Sequence, residues 1–424
     1  MSQPPVPSAG RIVDRCRFCD GTLSIPFCDL GAMPPSNSYV HPARASEPEP
    51  AFPLEARACD RCLLVQLTFI ADAGQIFGEY AYLSSMSDSW LAHAERFSRV
   101  AIARFDLGSG SFVVEVASND GYLLRNFVAA SIPCLGIEPA ANVAAIAVAA
   151  GIATKVDFLG LDSATRLVAS RGHADLVVAN NVMAHVPDIN DFVAGLACVA
   201  GSNGVVSMEV PHLVRLIEGT QFDTVYHEHY AYWSLLSIEK VLAAHGLEVF
   251  DIERLATHGG SLRIFAAAPR SPKRQQSPTV AEVRDEEAAL GVGDAAYYAG
   301  FEARVSRVLE AARALLRDAH VKGLLVAGYG AAAKGNTFLN ALGAGPETIA
   351  FVADRSPFKQ GMLLPGSHIP VVDPDEIFRR RPDLLIVLPW NIASEICTQM
   401  AGISAWGGRF AVGIPEVRVF DGQP

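Results

Sequence analysis

Short unbroken apolar runs bounded by small polar turns recur along this chain, and they predict buried parallel strands; segments with an apolar residue at every third or fourth place predict the helices between them. Phe112-Val113-Val114-Glu115-Val116 is such a run, ending in Ala117-Ser118-Asn119-Asp120-Gly121, a turn that opens a helix at Tyr122-Leu123-Leu124. A helix over 88–105 precedes it. Further strands follow at Cys134-Leu135-Gly136-Ile137-Glu138-Pro139, at Lys155-Val156-Asp157-Phe158 and over 174–181. The alternation predicts a doubly wound α/β sheet. Residues 250–267 read as strands around a Thr257-His258-Gly259-Gly260-Ser261 turn. Over 270–284 the periodicity gives way to Arg, Pro, Lys, Gln and Ser, which predicts a linker. An amphipathic helix over 294–319 comes next, and its stripe of Phe301, Val305, Val308, Leu309 and Ala312 reads as core packing. The α/β pattern then repeats: a strand runs from Lys322 into Gly328-Tyr329-Gly330, followed by strands over 350–354 and 384–391.

The chain has 424 residues, 50% hydrophobic and 19% charged, enough for several domains with large cores. A formal net charge of -11 argues against a general electrostatic grip on nucleic acid or anionic membrane, so an anionic ligand must be held by a local pocket. No apolar run reaches the roughly 20 residues of a membrane span, and residues 1–10 have no signal-peptide pattern. The expectation is a cytoplasmic protein, monomeric, with no nucleic-acid or membrane partner.

Among eight cysteines, Cys16-Arg17-Phe18-Cys19 and Cys59-Asp60-Arg61-Cys62 form two CxxC knuckles, while Cys28, Cys134, Cys198 and Cys397 are scattered. Two knuckles can meet as the four-sulfur tetrahedron that zinc prefers, and four cysteines leave no open position for catalysis. A structural zinc is expected at Cys16, Cys19, Cys59 and Cys62, with the proline-rich insert between the knuckles looping out. The first turn of the sheet has one glycine where a dinucleotide site wants three. It carries Glu115 and Asp120 instead, which would repel a pyrophosphate and suit the ammonium and sulfonium of S-adenosylmethionine. Candidate cofactor contacts are Glu115, Ala117, Asn119, Asp120 and Gly121, then Glu138, Asp157, Phe158 and Asn180 at the ends of the next strands.

Tyr226-His227-Glu228-His229-Tyr230 packs two imidazoles, a carboxylate and two phenols into five residues, a set suited to moving protons. A metal cluster on His227-Glu228-His229 is disfavoured, because imidazoles at i and i+2 converge poorly on one ion. His185, just past the fourth strand, should face the same cavity.

These motifs in this order, with His258-Gly-Gly-Ser-Leu-Arg263 and Gly328-Tyr-Gly-Ala-Ala-Ala-Lys-Gly335, resemble the bacterial sugar C-methyltransferases over nearly the whole chain. The resemblance implies a zinc-binding module (1–75), a class I, Rossmann-like methyltransferase domain (76–270) and a C-terminal Rossmann-like domain that holds the nucleotide sugar (271–424). It implies methyl transfer to C3 of a nucleotide-linked, usually dTDP-linked, 4-keto-deoxysugar. It carries a base role to His229, a supporting role to Glu228 and a hydrogen bond to the keto oxygen to Tyr226. Tyr80, or Tyr82 instead, would close over the site. Arg263 resembles a position near the nucleotide sugar, although an arginine on a strand is as readily a solvated face. Asn181, Tyr329, Lys334 and Asn336 complete the candidate substrate contacts, with Lys334 offering a point charge to phosphate. Ala117 and Ala332 depart from expected glycine and proline without removing a chemical group. Two rivals stay open. One is an NAD-dependent oxidoreductase using the C-terminal glycine-rich turn, with Asp354 at the ribose position; the other is a non-catalytic nucleotide-sugar-binding protein with a zinc interaction module.

Overall fold

The computed structural model describes residues 10–72, 74 and 83–423. Its largest sheet has seven strands in the order Glu248–Leu255, Ser261–Ala267, Val205–Pro211, Leu176–Asn180, Val113–Val116, Cys134–Ile137 and Thr154–Lys155. Only Ser261–Ala267 runs antiparallel to its neighbours. Along the central strands apolar residues alternate between two cores: Val114, Val116, Val177 and Ala179 belong to one, and Val113, Leu176 and Val178 to the one on the opposite face. Helices on both sides explain why these strands read as continuous apolar runs.

A second sheet of six strands runs Val371–Val372, Val352–Ala353, Val326–Tyr329, Leu384–Val387, Arg409–Val412 and Arg418–Phe420, with only the last antiparallel. In each sheet the first strand lies centrally and the chain then winds out to both sides. Each sheet therefore has a switch point, where a ligand meets the carboxyl ends of the strands. The α/β architecture is the one expected.

The stretch expected as a linker was misread. Residues 270–284 are not simply a linker, because Pro278–Ala289 is a helix. Ser277 caps it by accepting the Thr279 N–H, proline stands in its first turn, and Val280, Val283 and Glu287 are its buried stripe. Polar surface residues hid that narrow stripe. The amphipathic helix expected over 294–319 is two, Ala295–Ala299 and Phe301–Val321, parted at Gly300, with the expected stripe buried on the second.

The zinc module is woven into both α/β parts. Its antiparallel sheet runs Ile25–Met33, Phe52–Ala58 and Val65–Leu67, and is completed by Ala231–Tyr232, which follows the tyrosine–histidine run. The insert between the knuckles thus supplies two strands rather than only a loop. Phe27 stacks on Phe301 of the long C-terminal helix with ring centroids 4.5 Å apart. Val40 pairs with Leu363, and Glu49 accepts hydrogen bonds from the Gly366 N–H at 3.1 Å and pairs with His368 at 2.5 Å. No helix among the described residues is long and apolar enough to cross a membrane.

Candidate active site

The four knuckle sulfurs lie within 4.8 Å of one another, Cys16 to Cys62 at 3.5 Å and Cys19 to Cys59 at 3.5 Å. A zinc–sulfur bond of about 2.3 Å gives tetrahedral edges of roughly 3.8 Å, so the set fits the ion. The knuckles are built alike. In each, the N–H four residues after the first cysteine bonds back to its carbonyl, and a left-handed residue closes the turn, Asp20 at φ 57° and Leu63 at φ 64°. Gly21 is required because a Cβ there would meet Cys59 Sγ at 2.7 Å. Gln66 Nε2 donates to Cys16 Sγ at 3.1 Å, the kind of outer contact that steadies a thiolate ligand.

The turn after Val113–Val116 is shaped by three residues in the left-handed region, Ala117, Asn119 and Gly121. Glu138 holds it in place, with one oxygen accepting the Asn119 N–H and the other the Ala140 N–H, both at 2.9 Å. Each oxygen keeps a lone pair for a ribose hydroxyl. Ser84 and Ser85 donate backbone N–H groups to Asn119 Oδ1 and Asp120 Oδ2. Glu115 Oε2, Asp120 Oδ1 and Ser118 Oγ are buried with no hydrogen-bond partner among the described residues. Burial, then the Glu138 and Asp120 charges, hold the Glu115 carboxyl well above the usual carboxylate range. A cation relieves such a cluster, so these residues fit the ammonium and sulfonium of S-adenosylmethionine. Asp157 lies 2.8 Å from Lys155 Nζ, and Phe158 is half-exposed at the rim.

The tyrosine–histidine run lies beyond the same edge of the sheet. His229 Nδ1 meets the Thr224 carbonyl at 2.8 Å, and its Nε2 meets the Tyr226 hydroxyl at 2.7 Å. A carbonyl can only accept, so Nδ1 carries the proton and Nε2 presents its lone pair to the phenol. His185 sits edge-on, 4.8 Å from His229 between ring centroids, with Nδ1 on the Glu228 carbonyl at 2.9 Å. Burial first, and then the neighbouring His185, push the His229 pKa well below its ordinary value; burial pushes His185 down to about 4. Both imidazoles are neutral at pH 7. Burial raises Glu228 to about 7, against the opposing hydrogen bond from Asn37 Nδ2 at 2.5 Å. His227 and Tyr230 turn away into packing: His227 lies edge-on to Phe52 and Phe69, and Tyr230 donates to the Ala71 carbonyl.

Across the seam, Lys334 sits near the start of the helix Ala333–Leu342, its buried ammonium without a hydrogen-bond partner among the described residues and 5.3 Å from the Trp390 ring centroid. Burial lowers its pKa, and the charge of Asp223 opposes that. Asn180 Oδ1 and both amide atoms of Asn181 are likewise buried and unpartnered at the end of their strand. Lys334, Asn180 and Asn181 thus carry buried polar atoms that no hydrogen bond satisfies among the described residues.

Three expected substrate contacts have other partners. Arg263 is buried in the large sheet, directly opposite Glu209 on one neighbouring strand and Glu253 on the other. Its terminal nitrogens lie at 2.8 Å from Glu209, 2.9 Å from Glu253 and 2.9 Å from His93, so both ends of the guanidinium fork are engaged within the protein. Tyr329 packs in the core on the far face of the second sheet, its hydroxyl toward Gln399. Asn336 Nδ2 donates to the Ser36 carbonyl at 2.5 Å and so docks the zinc-module insert. Tyr80 and Tyr82 lie outside the described residues. Asn37 was missed, since nothing in the Pro34-Pro35-Ser36-Asn37 stretch marks a residue that reaches Glu228. Asp354, the acid of the NAD reading, accepts the Ala331 and Ser356 N–H groups at 2.7 and 2.8 Å.

Three family models match the chain in order: a zinc binding domain at residues 16–77, a methyltransferase domain at 90–252 and a C-methyltransferase C-terminal domain at 256–415. The chain is 35% identical over 413 residues to the C-methyltransferase NovU of Streptomyces niveus, covering 97% of this chain and 98% of that one. Among solved structures, magnesium protoporphyrin IX methyltransferase of Synechocystis PCC 6803 with bound SAM matches at TM-score 0.32 and 15% identity, over 46% of this chain and 88% of that chain. YcgJ of Bacillus subtilis matches at TM-score 0.33 and 9% identity, over 42% and 98%.

Proposed function

Because the chain belongs to the S-adenosylmethionine-dependent C-methyltransferase family, we propose that it methylates C3 of a nucleotide-linked, dTDP-bearing 4-keto-deoxysugar through an enolate. The observation that carries the reading is the Tyr226–His229 pair, a phenol proton aimed at a neutral imidazole nitrogen whose tautomer is fixed. A ketone entering between the two accepts the phenol hydrogen bond and leaves Nε2 facing the acidic C–H beside the carbonyl. His229 removes that proton, and Tyr226 stabilises the oxyanion that forms on C4. S-adenosylmethionine supplies an electrophilic methyl group on a sulfonium, the partner an enolate carbon requires. Glu115, Asp120 and Glu138 hold the donor's cationic end and ribose, and Lys334 with the amides of Asn180 and Asn181 suits a diphosphate and sugar hydroxyls.

A panel of dTDP-4-keto-deoxysugars incubated with protein and S-adenosylmethionine tests this by mass spectrometry and NMR. The expected product gains one CH₂ and carries it at C3. NMR separates this from C5, which the same ketone acidifies. A chain that binds S-adenosylmethionine and adds CH₂ to no panel member would sink the substrate assignment.

A further inference from the structure

Arg17 stands between the two cysteines of the first knuckle, yet its side chain leaves the zinc module. Nη1 donates to the Val186 carbonyl at 2.7 Å and the Pro187 carbonyl at 3.0 Å, and Nη2 to the Tyr230 carbonyl at 2.6 Å. Val186 follows His185 directly, and Tyr230 follows His229 directly. One guanidinium thus bridges the two backbones that carry the facing imidazoles. The arginine is itself held from behind: its N–H donates to Gln66 Oε1 at 3.0 Å, while Gln66 Nε2 rests on Cys16 Sγ, and Asn190 Nδ2 donates to the Arg17 and Phe18 carbonyls. The guanidinium's hydrogen-bond partners among the described residues are backbone carbonyls, and the nearby Asp188 charge acts on it without a direct bond. Burial lowers its pKa to about 10, and the adjacent Cys16 charge works against that shift.

We propose that Arg17 is a positioning residue of the methyl-transfer site, tying the zinc knuckle to the backbones after His185 and His229 and so setting the separation of those two imidazoles. The inference rests on the reading of His229 as the base. A planar fork is needed because three carbonyls from two segments must be met in fixed directions; a lysine ammonium reaches one or two of them without fixing their angle. Arg17 touches no reacting atom. Its effect passes through the backbone to the distance between Nε2 and the substrate C–H, where an error of about 1 Å costs on the order of a hundredfold.

Arg17→Met and Arg17→Lys in the full chain test it, with four readouts: zinc content, S-adenosylmethionine binding by calorimetry, steady-state methyl transfer to a dTDP-4-keto-deoxysugar, and NMR of ¹⁵N-labelled histidine rings. Arg17→Met is expected to keep its zinc and to bind S-adenosylmethionine within about twofold, while kcat falls roughly ten- to a hundredfold and KM changes less. The His185 and His229 ring signals shift while the exposed His320 does not, and Arg17→Lys falls between. Unchanged kcat and ring signals in Arg17→Met would overturn the proposal, as would loss of zinc or donor binding in step with kcat, which makes the residue a fold staple. If Arg17→Met does not fold, Arg17→Lys decides by the same criteria. The ring signals are read without sugar, so a wild-type chain that methylates no keto sugar refutes the function while the signals still judge Arg17.

Discussion

At the scale of single residues, the site separates groups that wait for a ligand from groups already paired. His229 is the first kind: Nδ1 is committed to a carbonyl, and Nε2 is held toward a phenol that a ketone can displace. His229→Asn keeps a polar side chain but no basic nitrogen, so methyl transfer is expected to fall by about 10²- to 10⁴-fold with donor binding preserved. Deuterium exchange at C3 in the absence of donor is the sharper measurement, because it isolates proton removal; wild-type exchange in the variant removes His229 from the base role. Arg263 is the second kind. It was legible in the sequence only as a charge on a strand, since the glutamates opposite it come from strands about 10 and 54 positions away in the chain. Arg263→Ala leaves Glu209 buried without its cation and is expected to cost about 3–5 kcal/mol in urea unfolding, with the sugar KM of the folded fraction unchanged. A selective rise in KM at full stability would instead mean that the guanidinium reaches a ligand.

At the scale of elements, the strands and their turns were readable because each is set by local pattern: an apolar run, then small residues able to take a left-handed backbone. The strap from Pro34 to Tyr39 was not. Its polar side chains have no helical or strand period, and their meaning comes from where the fold carries them: Ser36 to Thr337, Asn37 to Glu228, and the Tyr39 hydroxyl to the Ala331 carbonyl at 2.5 Å. Asn37 favours the ionised Glu228, whose carboxyl burial raises from an ordinary 4.5 to about 7. A carboxyl raised in the folded state contributes stability that is fully present below its unfolded pKa and is lost as pH rises through the folded one. Stability attributable to Glu228 is thus expected to fall by roughly 3 kcal/mol between about pH 4.5 and pH 7. Urea midpoints across pH 4.5 to 9 measure it. Glu228→Gln should flatten this component, and Asn37→Ala should carry the fall to higher pH; an unaltered profile in both variants would trace the slope to other groups.

At the scale of the whole molecule, the paired CxxC knuckles announced a metal but not its position. Cys16, Cys59 and Cys62 share one core with Val182, Met183 and Val186, the residues around the His185 turn. Strand Ala231–Tyr232 extends the module's sheet directly after the Tyr226-to-Tyr230 run. Such a module is no detachable tag, because sequence spacing cannot reveal that residues 16–62 and 182–232 are laid in one core; only the closed fold does. Zinc removal is therefore expected to disable chemistry as well as loosen the module. With the ion gone the four sulfurs within 4.8 Å lose the bonds that hold the two knuckles together, and structural zinc contributes on the order of 10 kcal/mol to small sites of this kind. Chelation under reducing conditions should lower the apparent Tm by roughly 10 °C or more and abolish methyl transfer, and stoichiometric zinc should restore both. One of the two cores of the seven-stranded sheet contains no residue of the zinc module, so S-adenosylmethionine binding by calorimetry should survive better than turnover in the metal-free chain. A chelated chain that still transfers methyl groups at the parent rate would show that the knuckles stabilise only themselves.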